Sequence, residues 1–502
     1  MKKMNLLVMS LVSAAALSFT SCSDSEDLAN DKAGQEKVDG FYMTLTVQSP
    51  NASGTRTSVL KDTENATAGE AAIKNGTLYL VDDQNNIAFH EDLSKLDWYG
   101  DVKDDASKKK DGNKTFEIKV PAVEADKTYR VYFLAGSNKP AGDMNFAATS
   151  NNVFTATSKF ADPFAKDDNF AMFNQNDAQV NGNGYSVTFS KANNNKQNPA
   201  KVNYTKDGET PITNAPIKVE RVVARIDAPI PGTSTVLAEA PADASAALKV
   251  AMKDAKEKVA EIKLLNYAVS NLAKKSYVMQ TWSADNKLLI PEFSYYQPTA
   301  DFGGVYDYKN GGFTTTEKAK VNYVFENSST TAPTTMYFEY QIKLDNSKFT
   351  EPADFTDGTF YRYNNVIYTS FAQIFKDYEG VTGLFNGKDK DAMKTELEDA
   401  KKVETGQEVK DVETKLSEFR QKYHIEVFNE GKTYYKHVIK DNHIGYANAI
   451  QRNSIYRLNI NNIFNVGAQV PNGTPTENDS YYLNVTVTVN PWVLNEDNVN
   501  LQ

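Results

Sequence analysis

The sequence predicts a mainly β protein, built as β-sandwiches with a few surface helices inserted between strands. Three observations predict it. Short runs alternate apolar and polar residues with period two, Asn, Gly, Pro and Asp separate these runs, and only two stretches carry helical spacing. The 502 residues are 40% hydrophobic and include 27 Tyr and 26 Phe, which is apolar material for more than one core. Net charge is −10 and the pI about 5.2, so nucleic acid is not an expected partner, because phosphate binding needs a basic face. Four histidines (His90, His424, His437, His443) and a single cysteine leave little for zinc sites, disulfide frameworks or Cys/His catalysis.

Residues 1–22 (MKKMNLLVMSLVSAAALSFTSC) carry two lysines, a short apolar run, then small residues and the cysteine. That is a secretory signal, too short and too well punctuated to be a spanning helix. Thr20-Ser21-Cys22 resembles a lipobox, in which the thiol is acylated, making Cys22 a lipid anchor and the mature N-terminus. The alternative is an unmodified cysteine in an ordinary cleaved signal. Residues 23–27 (SDSED) resemble the acidic tag of surface-directed lipoproteins and read equally well as part of a solvated tether that runs to residue 39.

Strands dominate from there. In 41–47 (FYMTLTV), Phe41, Met43, Leu45 and Val47 fall on one face and Tyr42, Thr44 and Thr46 on the other, which makes a half-buried strand. Further strands are predicted at 77–81, 116–120, 129–135, 185–189, 217–226, 262–269 and 336–342. Helices are predicted at 244–263 and 388–423, the second through Leu397, Ala400 and Val403 and then Leu416, Phe419 and Tyr423. The Asn/Lys-rich stretch 191–216 has little apolar density and sets a domain boundary near 215. A loop at 465–480 separates a final short segment, expected to be mobile before any assembly. The resulting organisation is a signal at 1–22, a propeptide with tether and first strand at 23–56, domains at 57–214 and 215–464, and a linker with a terminal strand at 465–502.

No catalytic constellation is present: there is no GxSxG, P-loop, HExxH or Rossmann glycine pattern, so neither an enzyme nor a cofactor or metal site is expected. His437 and His443, near Asp441, read as solvated loop residues. Asp82-Asp83 and Asp104-Asp105 read as solvent-facing turns, and Trp98 and Trp282 as core aromatics.

The informative feature is a pair of segments at opposite ends of the chain. Residues 42–50 (YMTLTVQSP) and 482–491 (YLNVTVTVNP) are both Tyr-led, strictly alternating and closed by Pro, so both could occupy the same slot; chance resemblance of two strands is the alternative. In the second, Leu483, Val485, Val487 and Val489 form one face, and Trp492 and Leu494 continue past Pro491. Directly after the first comes a small, polar loop holding one arginine, Arg56, which is a protease-accessible bond. A cut between Arg56 and Thr57 releases lipid, tether and first strand together and leaves an open groove that recruits a strand. Burying about four apolar side chains at about 1.5–3 kcal/mol each gains on the order of 6–12 kcal/mol before ordering costs. Head-to-tail insertion of this kind does not close on itself, so it yields a filament.

Residues 217–226 (IKVERVVARI), 264–282 (LLNYAVSNLAKKSYVMQTW), 452–460 (RNSIYRLNI) and 485–493 (VTVTVNPWV), in that order behind a lipoprotein signal, resemble the major structural subunits of Bacteroidales minor fimbriae, which are type V pilins. The resemblance implies two transthyretin-like β-sandwich domains and a lipoprotein precursor at the outer membrane. It further implies cleavage by an Arg-specific protease and polymerisation by donor-strand exchange into a surface fimbrium that supports adhesion and colonisation. Arg56 matches the family's cleavage position and 481–501 its donor segment. The implied partners are other copies of the chain and accessory fimbrial subunits. The two helical insertions have no counterpart in that pattern. A fimbrial tip or anchor subunit and a surface glycan-binding lipoprotein are the alternatives.

Overall fold

Alternation at the start of the chain becomes a strand, β1 (Phe41–Gln48), and the apolar set is what it buries: Phe41 is 5% exposed and Met43, Leu45 and Val47 are 0% exposed. The computed structural model describes residues 40–49, 64–98, 115–121, 123–140, 143–147, 152–157, 161–176, 184–206, 209–229, 232–285, 287–291, 295–296, 314–315, 321–402, 409–441, 449–470 and 483–493. All of them fall in one compact unit, Gly40–Gln502. Cys22, Arg56, Thr57, Asp104, Asp105, Val403, His443 and Leu494 lie outside the described residues.

The chain is mainly β. Its largest sheet follows the order Ile212–Thr213, Val202–Tyr204, Tyr185–Phe189, β6 (Lys127–Ala135), Met172–Asn174, Ile217–Arg221, β1, β5 (Thr115–Val120), with β3 (Gly76–Val81) and β4 (Ile87–Asp92) joined to it through β6. A second sheet holds Val321–Phe325, Val223–Asp227, Ser454–Ile463, Leu483–Val493 and the two-residue β2 (Glu64–Asn65). A third is built on Val259–Ser270, Thr335–Leu344 and Lys432–Val438. One buried apolar cluster underlies the first sheet, and a second lies between the other two.

Tyr185–Phe189 forms as expected, and the strands expected at 77–81, 116–120, 129–135 and 336–342 form with longer ends. The run 217–226 is not one strand. It breaks at Val222 into Ile217–Arg221 and Val223–Asp227, and the chain passes there from the first sheet to the second. Both halves are almost wholly buried, Glu220 and Arg221 included, so residue polarity does not follow burial across the run, and no Gly or Pro marks the break.

The helix expected at 244–263 stops early: α2 (Ala246–Lys258), capped by the Ser245 side chain, gives way to a strand at Val259. From there the chain pairs antiparallel with Thr335–Leu344, and this long-range ladder overrides the local helical spacing. The stretch 388–423 holds α4 (Lys390–Lys401) and α5 (Val409–Tyr423), preceded by α3 (Phe371–Asp377), which the spacing did not indicate. These helices are more than surface decoration. Phe371, Ile374, Phe385, Met393, Leu397, Leu416, Phe419 and Tyr423 belong to a buried cluster of their own.

Three smaller expectations need correction. The stretch 191–216 contains two short strands: Val202–Tyr204, where Val202 reaches the core, and Ile212–Thr213, which pairs with it while staying exposed. His437 is not on a loop: it lies in Lys432–Val438 opposite Met336, where burial, helped by Lys440, pushes its imidazole down to about 4. Trp98 is buried and donates its Nε1–H to the Leu93 carbonyl, but Trp282 is only half-buried. Asp82 does open a turn, its Oδ1 accepting from the Gln84 and Asn86 amides.

Candidate functional site

β1 lies inside its sheet, with neighbours on both edges. On one edge it pairs antiparallel with β5, from Phe41 opposite Val120 to Thr46 opposite Thr115, and the Thr46 and Thr115 hydroxyls meet at 2.7 Å. On the other, the Thr44 amide donates to the Ala200 carbonyl (2.9 Å), the Ala200 amide donates to the Tyr42 carbonyl (2.8 Å), and Val47 and Gln48 run parallel to Ile217 and Lys218. Among the described residues β5 pairs with no strand but β1. The chain enters this slot at Gly40, whose φ is +100° and where an added Cβ would meet the Val120 carbonyl at 3.2 Å, so only glycine fits without strain.

Beneath the sheet the apolar face of β1 meets the core. Phe41 packs on Phe189 with ring centroids 5.6 Å apart, and Met43, Leu45 and Val47 join the same cluster as Ile118, Val120 and Ile217. Extracting β1 therefore opens an apolar groove next to the edge of the sheet, between β5 and the Ile217–Arg221 strand. Leu45→Ala in the uncut chain is expected to cost about 2–5 kcal/mol, measured as a lowered midpoint of chemical unfolding. A loss below about 1 kcal/mol would mean that the site collapses around the gap.

Past β1, Ser49 is buried and its hydroxyl donates to the Ala71 carbonyl (2.7 Å). The described chain resumes at β2 and enters α1 (Ala68–Ala71), where Glu70 is a fixed anchor. Glu70 Oε1 accepts from Arg225 Nη1 (3.1 Å) and the Tyr323 hydroxyl (3.0 Å), and its carbonyl accepts from Arg221 Nε (2.9 Å).

The other sequence-predicted segment lies elsewhere in the fold. Leu483–Val493 runs antiparallel along Ser454–Ile463, with Leu483 opposite Ile463, Val485 opposite Ile460, Val487 opposite Leu458 and Val489 opposite Tyr456. At its far end Trp492 and Val493 run parallel to Glu64 and Asn65 of β2. A segment expected to be mobile thus has a seat in its own subunit. The linker ahead of it also begins packed: Asn465 and Val466 are buried, and Ala468 exchanges backbone hydrogen bonds with Tyr434. Within one copy, β1 and the C-terminal strand occupy different sheets.

One group of residues was given no individual role in the sequence reading, although Arg452 opens the run 452–460. Arg452 Nη2 pairs with Glu326 Oε1 at 2.6 Å, both side chains at 0% exposure, and Arg452 also donates to the Val278 carbonyl and the Ser276 hydroxyl. Beside them burial pushes the Glu220 carboxyl up to about 8, with Arg452 pulling it back and Glu326 adding to the rise. Burial likewise pushes Arg221 down to about 9. The available signal was charge inside the apolar run 217–226, but the partners lie too far along the chain to be read from it.

Residues 426–498 match the family described as major fimbrial subunit protein type IV, fimbrillin, C-terminal. No curated protein matches the chain. Among solved structures, a candidate cell-adhesion protein from Parabacteroides distasonis is 17% identical, covering 91% of this chain and 98% of its own, with a TM-score of 0.43. A fimbrilin from Porphyromonas gingivalis is 14% identical, covering 92% and 100%, with a TM-score of 0.41. A tip fimbrial protein from the same organism, truncated at its C-terminus, is 13% identical, covering 90% and 100%, with a TM-score of 0.31. Likenesses this distant carry no functional weight. The matched region begins just after α5 and includes Ser454–Ile463 and the C-terminal strand, so the similarity to the fimbrillins is carried by the C-terminal part of the chain.

Proposed function

We propose that this fimbrillin-type chain is a fimbrial shaft subunit that polymerises by donor-strand exchange. It is exported as a lipoprotein on Cys22 and cut after Arg56, and it then receives the C-terminal strand of another copy in the slot that β1 leaves. The observation that supports this most is the position of β1: an internal strand with four buried apolar side chains, at the removable end of the chain. Possession of both a releasable first strand and an alternating C-terminus favours a shaft subunit over a tip or an anchor. An acyl-blocked Cys22 on surface material, in place of a Thr57 N-terminus, would instead favour the glycan-binding lipoprotein.

Aligning 41–47 (FYMTLTV) with 481–487 (YYLNVTV) fixes the register of the incoming strand. Leu483, Val485 and Val487 take the places of Met43, Leu45 and Val47, and Thr486 takes that of Thr46, opposite Thr115 of the receiving copy. A Thr115→Cys/Thr486→Cys chain is therefore expected to give a ladder of disulfide-linked oligomers once cut, and none while uncut. Thr115→Cys/Thr488→Cys, shifted by one side-chain repeat, is the control. Filaments that form without the first ladder, or with the second, overturn this register.

A further inference from the structure

The C-terminal strand Leu483–Val493 has two edges. One is paired with Ser454–Ile463 along nearly its whole length. Among the described residues the other has a neighbour at one place, Trp492 and Val493, where β2 runs beside it.

β2 is too short to stand as an independent ladder, so what holds Glu64 and Asn65 in place is how the chain is fixed on either side. Upstream the chain is tied at β1 and at Ser49, whose hydroxyl bonds the Ala71 carbonyl. Downstream it is tied at Ala66, which is 6% exposed, and at Glu70 through Arg221, Arg225 and Tyr323. While the chain is continuous, β2 belongs to a loop closed at both ends, and the entropy of closing that loop is already spent by the folding of β1 and α1. A cut anywhere in 50–63 changes this. β2 then lies close to a new chain end with one tether, and such ends fray.

We infer that β2 is a latch that holds the C-terminal strand in its own subunit until the chain ahead of it is cut. The inference rests on the donor-exchange reading and supplies its control. With β2 in place, the end of the C-terminal strand at Trp492 and Val493 is flanked on both sides. With β2 gone it has one neighbour, and peeling from Ser454–Ile463 can start there. A single cut thus readies both partners of the exchange: it frees β1 from its slot and loosens the strand that will fill the slot of another copy. An uncut precursor keeps both strands at home.

The test is amide hydrogen exchange of the dilute full chain, before and after cleavage at Arg56, read on peptides covering 483–493. In the wild type, cleavage is expected to speed exchange there by about tenfold or more, while β6, at Lys127–Ala135, keeps its protection. Asn65→Pro, which removes the backbone N–H a ladder needs, is expected to show the fast rate before any cut, and cutting adds nothing further. If Asn65→Pro also exposes β6, the milder pair Glu64→Gly/Asn65→Gly replaces it. Unchanged exchange at 483–493 after cleavage of the wild type overturns the latch, and so does an uncut variant as well protected as the wild type. Because the readout comes from single subunits, the two readings fail separately. Filaments without faster exchange overturn the latch alone, whereas faster exchange without filaments leaves the release standing and overturns donor exchange.

Discussion

Arg56→Ala is expected to leave a lipid-bound monomer and no filaments. On the donor-exchange reading, the reason is competition for one slot. β1 buries four apolar side chains there, on the order of 6–12 kcal/mol gross, and an incoming strand of similar pattern gains about the same. With equal gains, concentration decides. A tethered β1 acts at an effective concentration of roughly millimolar, far above that of subunits at a cell surface, so it wins as long as the chain is whole. Cleavage turns β1 into a separate peptide that dilutes away once it leaves, and exchange becomes one-way. Immunoblots of the membrane fraction should show the variant at precursor length, and electron microscopy should show bare cells. Normal fimbriae built from Arg56→Ala subunits would refute this maturation step.

Arg452→Leu is expected to lower the stability of the uncut chain by about 3–5 kcal/mol, because it strands the Glu326 carboxylate in a site with no exposure. It also empties the donors that serve the Val278 carbonyl and the Ser276 hydroxyl. The double variant Arg452→Leu/Glu326→Leu separates these effects: removing both charges should restore much of the loss, since a buried ion pair is often replaceable by apolar groups of similar volume. Urea unfolding midpoints of the two variants and the wild type check it. A single variant no less stable than the double would show that the stranded carboxylate is not the source of the loss.

What the sequence made legible follows from the range of each interaction. Period-two alternation is local, so the buried face of β1 (Phe41, Met43, Leu45, Val47) could be read residue by residue. Its place inside a sheet could not, because β5 and Ile217–Arg221 come from distant parts of the chain. The break at Val222 was hidden because the charged Glu220 and Arg221 are themselves buried, so the polar positions of the run do not mark a solvent face. The overrun of α2 into Val259–Ser270 has the opposite cause: the helical spacing was real, but a long ladder to Thr335–Leu344 claimed the residues that follow. The two halves of the candidate site were visible as a repeated pattern. That the second half is seated on Ser454–Ile463 and touched by β2 depends on registers that no local pattern encodes.

Among the described residues β5 hangs on its sheet through β1 and no other strand. A cut subunit that has lost its first strand thus carries a raw ladder edge along β5 and unpaired backbone at Ala200, Ile217 and Lys218, open to any extended peptide that arrives. Such a species is sticky and short-lived, and its fate is a race between the growing end of a filament and indiscriminate clumping. Fimbrial growth on this plan depends on cutting subunits no faster than filament ends can consume them.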